Sequence, residues 1–504
     1  MNWLHRIGDA FDALRGRAPS AADMAQRSIA AGEVNRLLAD WLGTRMTRDE
    51  ELRLNMAQVR ARARENENND GVTRQFLRLL RVNVLGAEGP KLQAQVRNND
   101  GRLNKPFNDR IEAAFADWCE RPTRDGVLDM VEVQQLALST LARDGELFVR
   151  KHQAFERNSH GFAIELVDPA LVDETMNVAP SPGRNEIRMG IEVDADGRRV
   201  AYYLRPRVSA VASPLDRGER VPASEMLHLF VPEQVNQTRG VSWLMPVLVD
   251  MRMLSGYSEA ALVAARAAAA SMGFYQRRAD ASSVLPANQS SFITEANPGT
   301  FGVLPDGYEL AEWSPNQPNT QFGEFIKARL RLIATGLGVT YNGLASDLEG
   351  TSYSSMRGGM VSERDVWRTL QAWWIRKFLL PLFRDWLNMA LLHGSLTLDT
   401  RDARKFLAAR FVPRGWAWVD PQSDTQATVE GIGMGLTSRR AALAEQGRDV
   451  EDVLEELAEE TKLAAEYGVD ISGGTATAAP LANDGGAGGG DATKGADGNG
   501  STTN

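Results

Sequence analysis

Two long helix-prone runs, Gly240 to Met272 and Thr320 to Leu337, are separated by a stretch broken by Pro286, Pro298, Pro305, Pro315 and Pro318. Proline removes a backbone donor and clashes with the preceding helical turn, so no helix can run through such a stretch. Any fold of this chain must therefore set a small irregular insertion between two helices. Within it, FGVL and YELAEW are strand-like and suggest that the insertion contains β-structure. The first helix turns alanine-rich toward its end (AALVAARAAAASM), which lets neighbouring helices approach closely. It reads as a packed helix of a bundle or ring.

The flanking regions have distinct characters. From Met46 to about Glu120 the pattern is helical, with Arg60, Arg62, Arg64, Arg74, Arg78 and Arg81 interleaved with ENENND. This reads as a solvated face with intersubunit ion pairs in preference to a nucleic-acid contact. From Gln135 to Val231 the runs become short and alternating (GELFVRK, AIELVDP, IEVDADGRRVAYYLRPR, MLHLFV). Asp196-Gly197 between IEV and VAYYL predicts a tight hairpin, because glycine supplies a positive φ at no steric cost. Asp194 and Asp196 suggest a calcium loop only superficially, since the rest of the EF-hand pattern is missing.

Beyond the second helix, Thr340 to Gly359 (TYNGLASDLEGTSYSSMRGG) is small and polar, a length of loop that in a compact domain is usually functional or mobile. Met360 to His393 then carries Trp367, Leu370, Trp374, Phe378 and Leu382 at helical spacing around Pro381, which predicts one long kinked helix. Ser438 to Glu445 and Asp449 to Tyr467 predict two short helices. Gly447 punctuates the first; Asp449 caps the second, whose apolar stripe is Val450, Val453, Leu454 and Leu457. Ile471 to Asn504 offers almost nothing to bury and should be disordered.

Composition narrows the chemistry. The 504 residues carry 57 Lys and Arg against 66 Asp and Glu, a formal charge of −9, which argues against a protein that grips phosphate backbones with clustered cations. With Cys119 the only cysteine, neither an intramolecular disulfide nor a Cys-rich zinc site can form. The longest apolar stretch, Val241 to Tyr275, is interrupted by Asp250, Arg252, Glu259 and Arg266, so no transmembrane helix is expected. At the N-terminus, Trp3, Leu4, Ile7, Phe11 and Leu14 share a helical face, while Asp9 and Asp12 break the apolar core a signal peptide needs. This start reads as a docking helix. There is no G-x-x-x-x-G-K-[ST] and no H-E-x-x-H, and His5, His152, His160, His228 and His393 are scattered, although His152 and His160 could meet in space. Ser242 in GVSWL lacks the second glycine of a nucleophile elbow and reads as a helix cap. No catalytic constellation is found.

Four stretches, in order, carry a resemblance: VPASEMLHLF with QTRGVSWLMPVL; LPDGYELAEWSPNQPNTQFGEF; LRLIATGLGVTYNGLASDLEGTSYSSMR; and WAWVDPQSDTQA with GLTSRRAALAEQGRDVEDV. Together they resemble the lambda-type portal proteins of tailed double-stranded DNA phages, from about Arg60 to about Glu460. Two departures stand out. The upstream arginine of an Arg-x-Gly-Gln-x-Arg-Gly stretch is absent from Glu233 to Gly240, and Ser352 stands where Asn usually precedes Tyr-Ser-Ser.

The resemblance implies a mainly helical α+β portal fold with wing, stem, clip and crown, closing into a ring that is typically a dodecamer, with no cofactor and no enzymatic activity. It implies an N-terminal arm (1–45), wing (46–241), stem helix (242–272), clip (273–318), second stem helix (319–338), tunnel loop (339–359), long kinked wing helix (360–400), crown (401–470) and tail (471–504). Ser346, Asp347, Glu349, Thr351, Ser352, Ser354, Ser355 and Arg357 would line the DNA channel. The serines would make brief phosphate contacts, the two acids would oppose tight binding, and Arg357 would brace the loop through an intersubunit ion pair or touch DNA. Arg277, Arg278, Tyr308, Glu312 and Trp313 would present the clip to partners. Those partners would be the terminase large subunit, head-completion adaptors, major capsid and scaffolding proteins, and double-stranded DNA passing without sequence preference. No stable membrane binding is expected. Rival readings are a membrane-interacting DNA-injection protein and a hydrolase acting during infection.

Overall fold

Helix α1 (Arg48–Asn69) begins at a reciprocal cap: the Thr47 hydroxyl accepts the Glu50 N–H, and the Glu50 carboxylate accepts the Thr47 N–H. Its inward face is Leu52, Met56, Arg60 and Ala63, one stripe at helical spacing with a guanidinium set among apolar side chains. This computed structural model describes residues 46–98, 100–206, 218–269, 274–277, 308–311, 322–397, 406–416 and 421–469. The expectations for the N-terminal arm, the FGVL strand and the tail fall outside those residues.

The described residues form a mainly helical α+β chain that divides into two units. One lies within Met1–Thr73, Thr140–Lys151 and Leu166–Asn319, the other within Arg74–Ser139, His152–Glu165 and Thr320–Asn504.

In the first unit, β4 (Glu186–Arg188), β5 (Ile191–Val193), β6 (Arg199–Leu204) and β7 (Glu219–Pro222) form an antiparallel sheet in that order. Strand β2 (Glu146–Gln153) pairs antiparallel with β8 (Met226–Phe230), Glu146 opposite Phe230 and Arg150 opposite Met226. Phe148, Ile191, Val193, Tyr202, Val221 and Met226 pack into one core from these strands. The β5–β6 hairpin turns where predicted, with Gly197 at φ +77°. Asp194 Oδ1 accepts the N–H groups of Asp196 and Arg198 at 3.0 and 2.8 Å, so this carboxylate closes a turn.

Helix α5 (Leu248–Ala269) starts later than the sequence suggests. Ser242 Oγ instead accepts the Leu244 N–H at 3.2 Å and closes a turn ahead of it. In the insertion, β9 (Phe274–Arg277) and β10 (Tyr308–Ala311) pair antiparallel.

The second unit takes in most of α2 (Gly71–Leu80), α3 (Lys105–Glu120) and most of α4 (Met130–Asp144), with β1 (Lys91–Ala94) antiparallel to β11 (Ala409–Val412). Strand β3 (Phe162–Val167) begins here. Further along come α6 (Phe322–Leu337), α7 (Tyr341–Ala345), α8 (Tyr353–Trp374), α9 (Leu380–His393), α10 (Pro421–Gly433), α11 (Arg439–Glu445) and α12 (Val450–Glu466). Aromatic rings fill the core: Phe115 meets Trp386 edge-on at 5.0 Å and Phe383 at 5.6 Å, and Trp118 donates its indole N–H to Phe162 O at 2.8 Å.

Several sequence expectations shift. The helical run to Glu120 is broken by β1, whose partner β11 lies far along the chain where local periodicity carries no signal. The alternating pattern read from Gln135 begins only after α4 ends at Asp144. Pro381 is the second residue of α9 and follows a five-residue π turn, Ile375–Leu379, so the helix widens just ahead of the ring. Asp449 caps α12 as expected by accepting the Glu451 N–H, and Ser438 caps α11 by accepting the Ala441 N–H, whereas Leu454 and Leu457 of the expected apolar stripe are about half exposed.

Candidate functional site

The polar stretch after α6 is short and pinned. Thr340 Oγ1 accepts the Gly343 N–H at 3.2 Å and starts α7, and Ser346 ends it in the left-handed region at φ +53°. Tyr341 donates its hydroxyl to Asp347 Oδ2 at 2.7 Å, while Arg331 lies 5.2 Å from the centre of the Tyr341 ring. From α6, Lys327 Nζ reaches Glu349 Oε2 at 2.9 Å and stands 3.9 Å from Asp347 Oδ2. The Asp347 carboxyl is held below its usual range, first by the Tyr341 hydroxyl and then by the Glu349 N–H. Burial works against this lowering, so polar contacts are what hold the carboxylate in its charged form.

Helix α8 takes residues the sequence assigns to the loop. Ser352 accepts the Ser355 N–H at 3.2 Å as its N-cap, so Ser354, Ser355 and Arg357 stand in the first turns of a helix. The exposed loop proper is 346–352. Asp347 and Glu349 are brought together on Lys327, which offsets part of their charge. Arg357 Nη2 lies 3.2 Å from Asp424 Oδ1, an ion pair between α8 and α10 of one chain. Beside it Tyr353, Ser354, Gly358, Val361, Ser362 and Asp365 line a shallow concavity of about 640 Å³. The expected clip residues are only partly visible: Arg277 ends β9 opposite Tyr308 at the start of β10, and Arg278, Glu312 and Trp313 lie outside the described residues.

The QTRG stretch leads to a second centre, in the first unit. Arg239 is fully buried and grips Glu146 side-on, Nε to Oε2 at 2.8 Å and Nη2 to Oε1 at 2.6 Å, while its Nη1 donates to Met189 O at 2.6 Å. Arg60 adds an ion pair to Glu146 Oε1 at 3.3 Å and one to Glu174 at 3.0 Å. The Gly240 N–H and His228 Nε2 contact Glu146 Oε2 at 3.2 and 3.1 Å. Burial alone would raise the Glu146 carboxyl, but Arg239 and then His228 draw it well below the carboxylate range. Burial pushes His228 down to about 4 against the pull of Glu146, so at neutral pH a neutral imidazole donates to the carboxylate.

The backbone approach here requires glycine. A Cβ on Gly240 would sit 2.1 Å from Gly145 O, and Gly145 itself has φ +90°. Both Glu146 oxygens are occupied by buried donors, so the centre is structural: it clamps α1, β2, β8 and the QTRG stretch together. Around it Arg64 bridges Asp144 and Asp168, each at 2.6 Å, and Arg143 bridges Glu67 at 2.7 Å and Asp144 at 2.8 Å. Thus Arg60 and Arg64 of the arginine-rich run are paired inside their own chain, contrary to the solvated, intersubunit reading. The signal that could have located Arg60 is its place on the Leu52, Met56, Ala63 stripe.

Other candidates resolve quietly. His152 contacts Glu165 at 2.9 Å, and His160 packs against Trp386 at 5.6 Å between ring centres. Burial raises the Cys119 thiol well above its usual range. Among the described residues no group of three or more His, Cys, Asp or Glu is placed to hold a metal ion, and no helix is long and apolar enough to cross a membrane.

The described residues form a mainly helical α+β subunit, the fold class the portal resemblance implies. Comparison with known proteins agrees. The family model for phage portal protein, lambda family, matches residues 34–371, and the chain belongs to that family. A probable portal protein of Halomonas phage phiHAP-1 is 34% identical over 82% of this chain and 81% of its own length. Portal protein B of Escherichia phage lambda is 24% identical over 71% of this chain and 74% of its own. Among solved structures, one described as the neck of a native GTA particle computed with C12 symmetry aligns with 81% of this chain and 97% of its own, at 15% identity and a TM-score of 0.41.

Proposed function

We propose that copies of this portal protein close into a ring, of twelve subunits, at one capsid vertex, through which double-stranded DNA is packaged and ejected. In this reading α5 and α6 are the stem, the β9–β10 insertion is the clip where terminase and later head-completion proteins dock, and residues 401–470 are the crown facing the capsid interior. The loop 346–352 lines the channel, and the subunit is mechanical, with no catalytic role.

The observation that carries the ring is a bare apolar stripe on α5. Val249 and Met253, four residues apart, are 64% and 67% exposed, with Leu262 and Val263 exposed further along. Covering such a stripe with the corresponding helix of a neighbour is what closes a head-to-tail ring. A channel must also touch a polyanion without holding it, which a chain of net charge −9 favours by repelling phosphate on average. The pinning of Asp347 and Glu349 by Lys327 supports a loop that keeps its shape while DNA moves past it.

Native mass spectrometry of the purified full-length chain, with negative-stain class averages, tests the proposal. Rings of about twelve subunits with a central hole are expected. A stable monomer or dimer across a range of salt would overturn it and reopen the enzyme reading.

A further inference from the structure

Helix α1 and the turn that follows Val172 enclose a groove of about 340 Å³ in the first unit. Leu52 and Met56, each 3% exposed, form its floor and rest on Met189 and Val241. Arg53 and Ala57 stand exposed along the α1 side, with Thr175 and Asn177 on the other. The far wall is fixed in place. Arg60 holds Glu174 at 3.0 Å, Asp173 Oδ1 accepts the Thr175 hydroxyl at 2.7 Å, and Asn177 Oδ1 accepts the Met189 N–H at 3.0 Å. The outer face of α1 extends the apolar surface. Leu54 is 62% exposed, and Ala57 and Ala61 follow it at helical spacing without bulk to keep a neighbour away.

The chain itself supplies a segment that fits. Residues 33–42 (EVNRLLADWL) lie outside the described residues, and their spacing predicts one helix. Val34, Leu37, Leu38, Trp41 and Leu42 share one face, Glu33 and Asp40 lie along one edge of it, and Gly43 is the residue type that commonly ends a helix. Ten residues at a rise of about 1.5 Å make about 15 Å, which matches the run of about 14 Å from Arg48 to Ala57 along α1. Gly43 to Thr47 is a five-residue link, within the range of about 2–5 that joins antiparallel helices. Its far end is set, because Thr47 caps α1. Folding back in this register puts Val34 beside Ala57, Leu37 and Leu38 over Leu52 and Arg53, and the acidic edge within reach of the Arg53 guanidinium.

We propose that residues 33–42 dock in this groove as an antiparallel helix, each subunit filling the groove on its own α1. A helix of ten residues is marginal in water by itself, so its formation depends on the apolar surface it meets. The short tether holds the segment at the groove at an effective concentration on the order of millimolar, which a free partner or a neighbour's segment has to exceed. Own-chain docking therefore wins. The chain before Glu33 then departs from the Ala57 end of the groove, which anchors the arm on the first unit of its own subunit. The interface concerns a single chain and goes beyond the portal reading, since it requires neither a ring nor DNA.

Cross-linking of the full-length protein tests the docking. V34C with A57C makes two small changes at facing positions, and burial keeps the native Cys119 thiol unreactive. A short bis-maleimide should join the new thiols within one chain in most molecules, giving the monomer mass plus one linker by denaturing mass spectrometry. V34C or A57C alone should give no such product. A dimer-mass product would show the segment seated on a neighbour's groove and overturn the proposal, and so would the absence of any cross-link. Hydrogen exchange gives an independent readout. In wild type the amides of 36–42 should exchange about tenfold slower than an unstructured chain, and L37D/L38D should return them to that rate while β2 and β8 keep their protection. Unprotected amides in wild type, or protection that survives L37D/L38D, overturn the proposal. Ring mass is scored separately by native mass spectrometry, so failure of this interface and failure of the portal reading remain distinct.

Discussion

Glu146 accepts buried hydrogen bonds from Arg239, His228 and the Gly240 N–H, and each is a place where one side chain carries measurable stability. Arg239→Met keeps the bulk but leaves a buried carboxylate with too little compensation, so a loss of about 3–5 kcal/mol in unfolding free energy is expected, read from the urea midpoint. Changing both partners, R239M with E146L, should recover part of that loss, because an apolar pair requires no desolvated charge. The same centre sets an acid limit. With His228 held near 4 when folded against 6.5 when unfolded, the unfolded chain takes up the extra proton as pH falls from 6.5 to 4, so stability falls through that window. Glu146, held below its usual 4.5, adds a further loss below that pH. H228Q should flatten the limb between 6.5 and 4 in urea titrations at several pH values. Glu112 works the other way: burial raises it to about 7, so the folded second unit binds a proton first and gains stability as pH falls from 7 to 4.5. E112Q should remove that gain. None of these partners was legible locally. Arg60 and Glu146 are 86 positions apart, and an arginine-rich helix reads as solvated until the strands that cover it are known.

At the scale of elements, the stretch 340–359 shows where local reading stops. Its small polar residues predict one long loop, yet α7 and the first turns of α8 occupy most of it. Gly358 and Gly359 weaken a helix interior by about 1 kcal/mol each relative to alanine, so propensity alone argues for coil. Packing and capping outweigh it. Thr340 Oγ1 donates to Glu363 Oε2 at 2.9 Å, which ties the start of α7 to α8, and Ser352 supplies the cap. Ser352→Ala should therefore lower stability by about 1 kcal/mol and increase amide exchange over 352–356, measured by hydrogen–deuterium exchange. Lys327→Gln should leave the global melt unchanged but speed exchange across 346–352, and wild type in high salt should show the same loosening because the ion pair is exposed. Unchanged loop exchange in both cases would show that Lys327 does not hold the loop.

For the whole molecule, assembly is the property a single chain only implies. V249D/M253D places charge on the bare α5 stripe and should leave the subunit folded by circular dichroism yet unable to form rings by native mass spectrometry. Rings of unchanged size would place the subunit interface elsewhere. The sequence by itself determined what depends on neighbours along the chain: the Asp196-Gly197 turn, the Ser438 and Asp449 caps, the proline-broken insertion between two helices, and the ordered motifs that mark the lambda portal family. These follow from backbone sterics and local hydrogen bonding, which act over a few residues. Tertiary structure alone decided the β1–β11 pairing, the burial of Arg60 and Arg239 around Glu146, and the capture of Asp347 and Glu349 by Lys327. In each of those, a charge or strand edge takes its meaning from a partner brought close only by folding, because the energy of a polar group depends on what replaces its water.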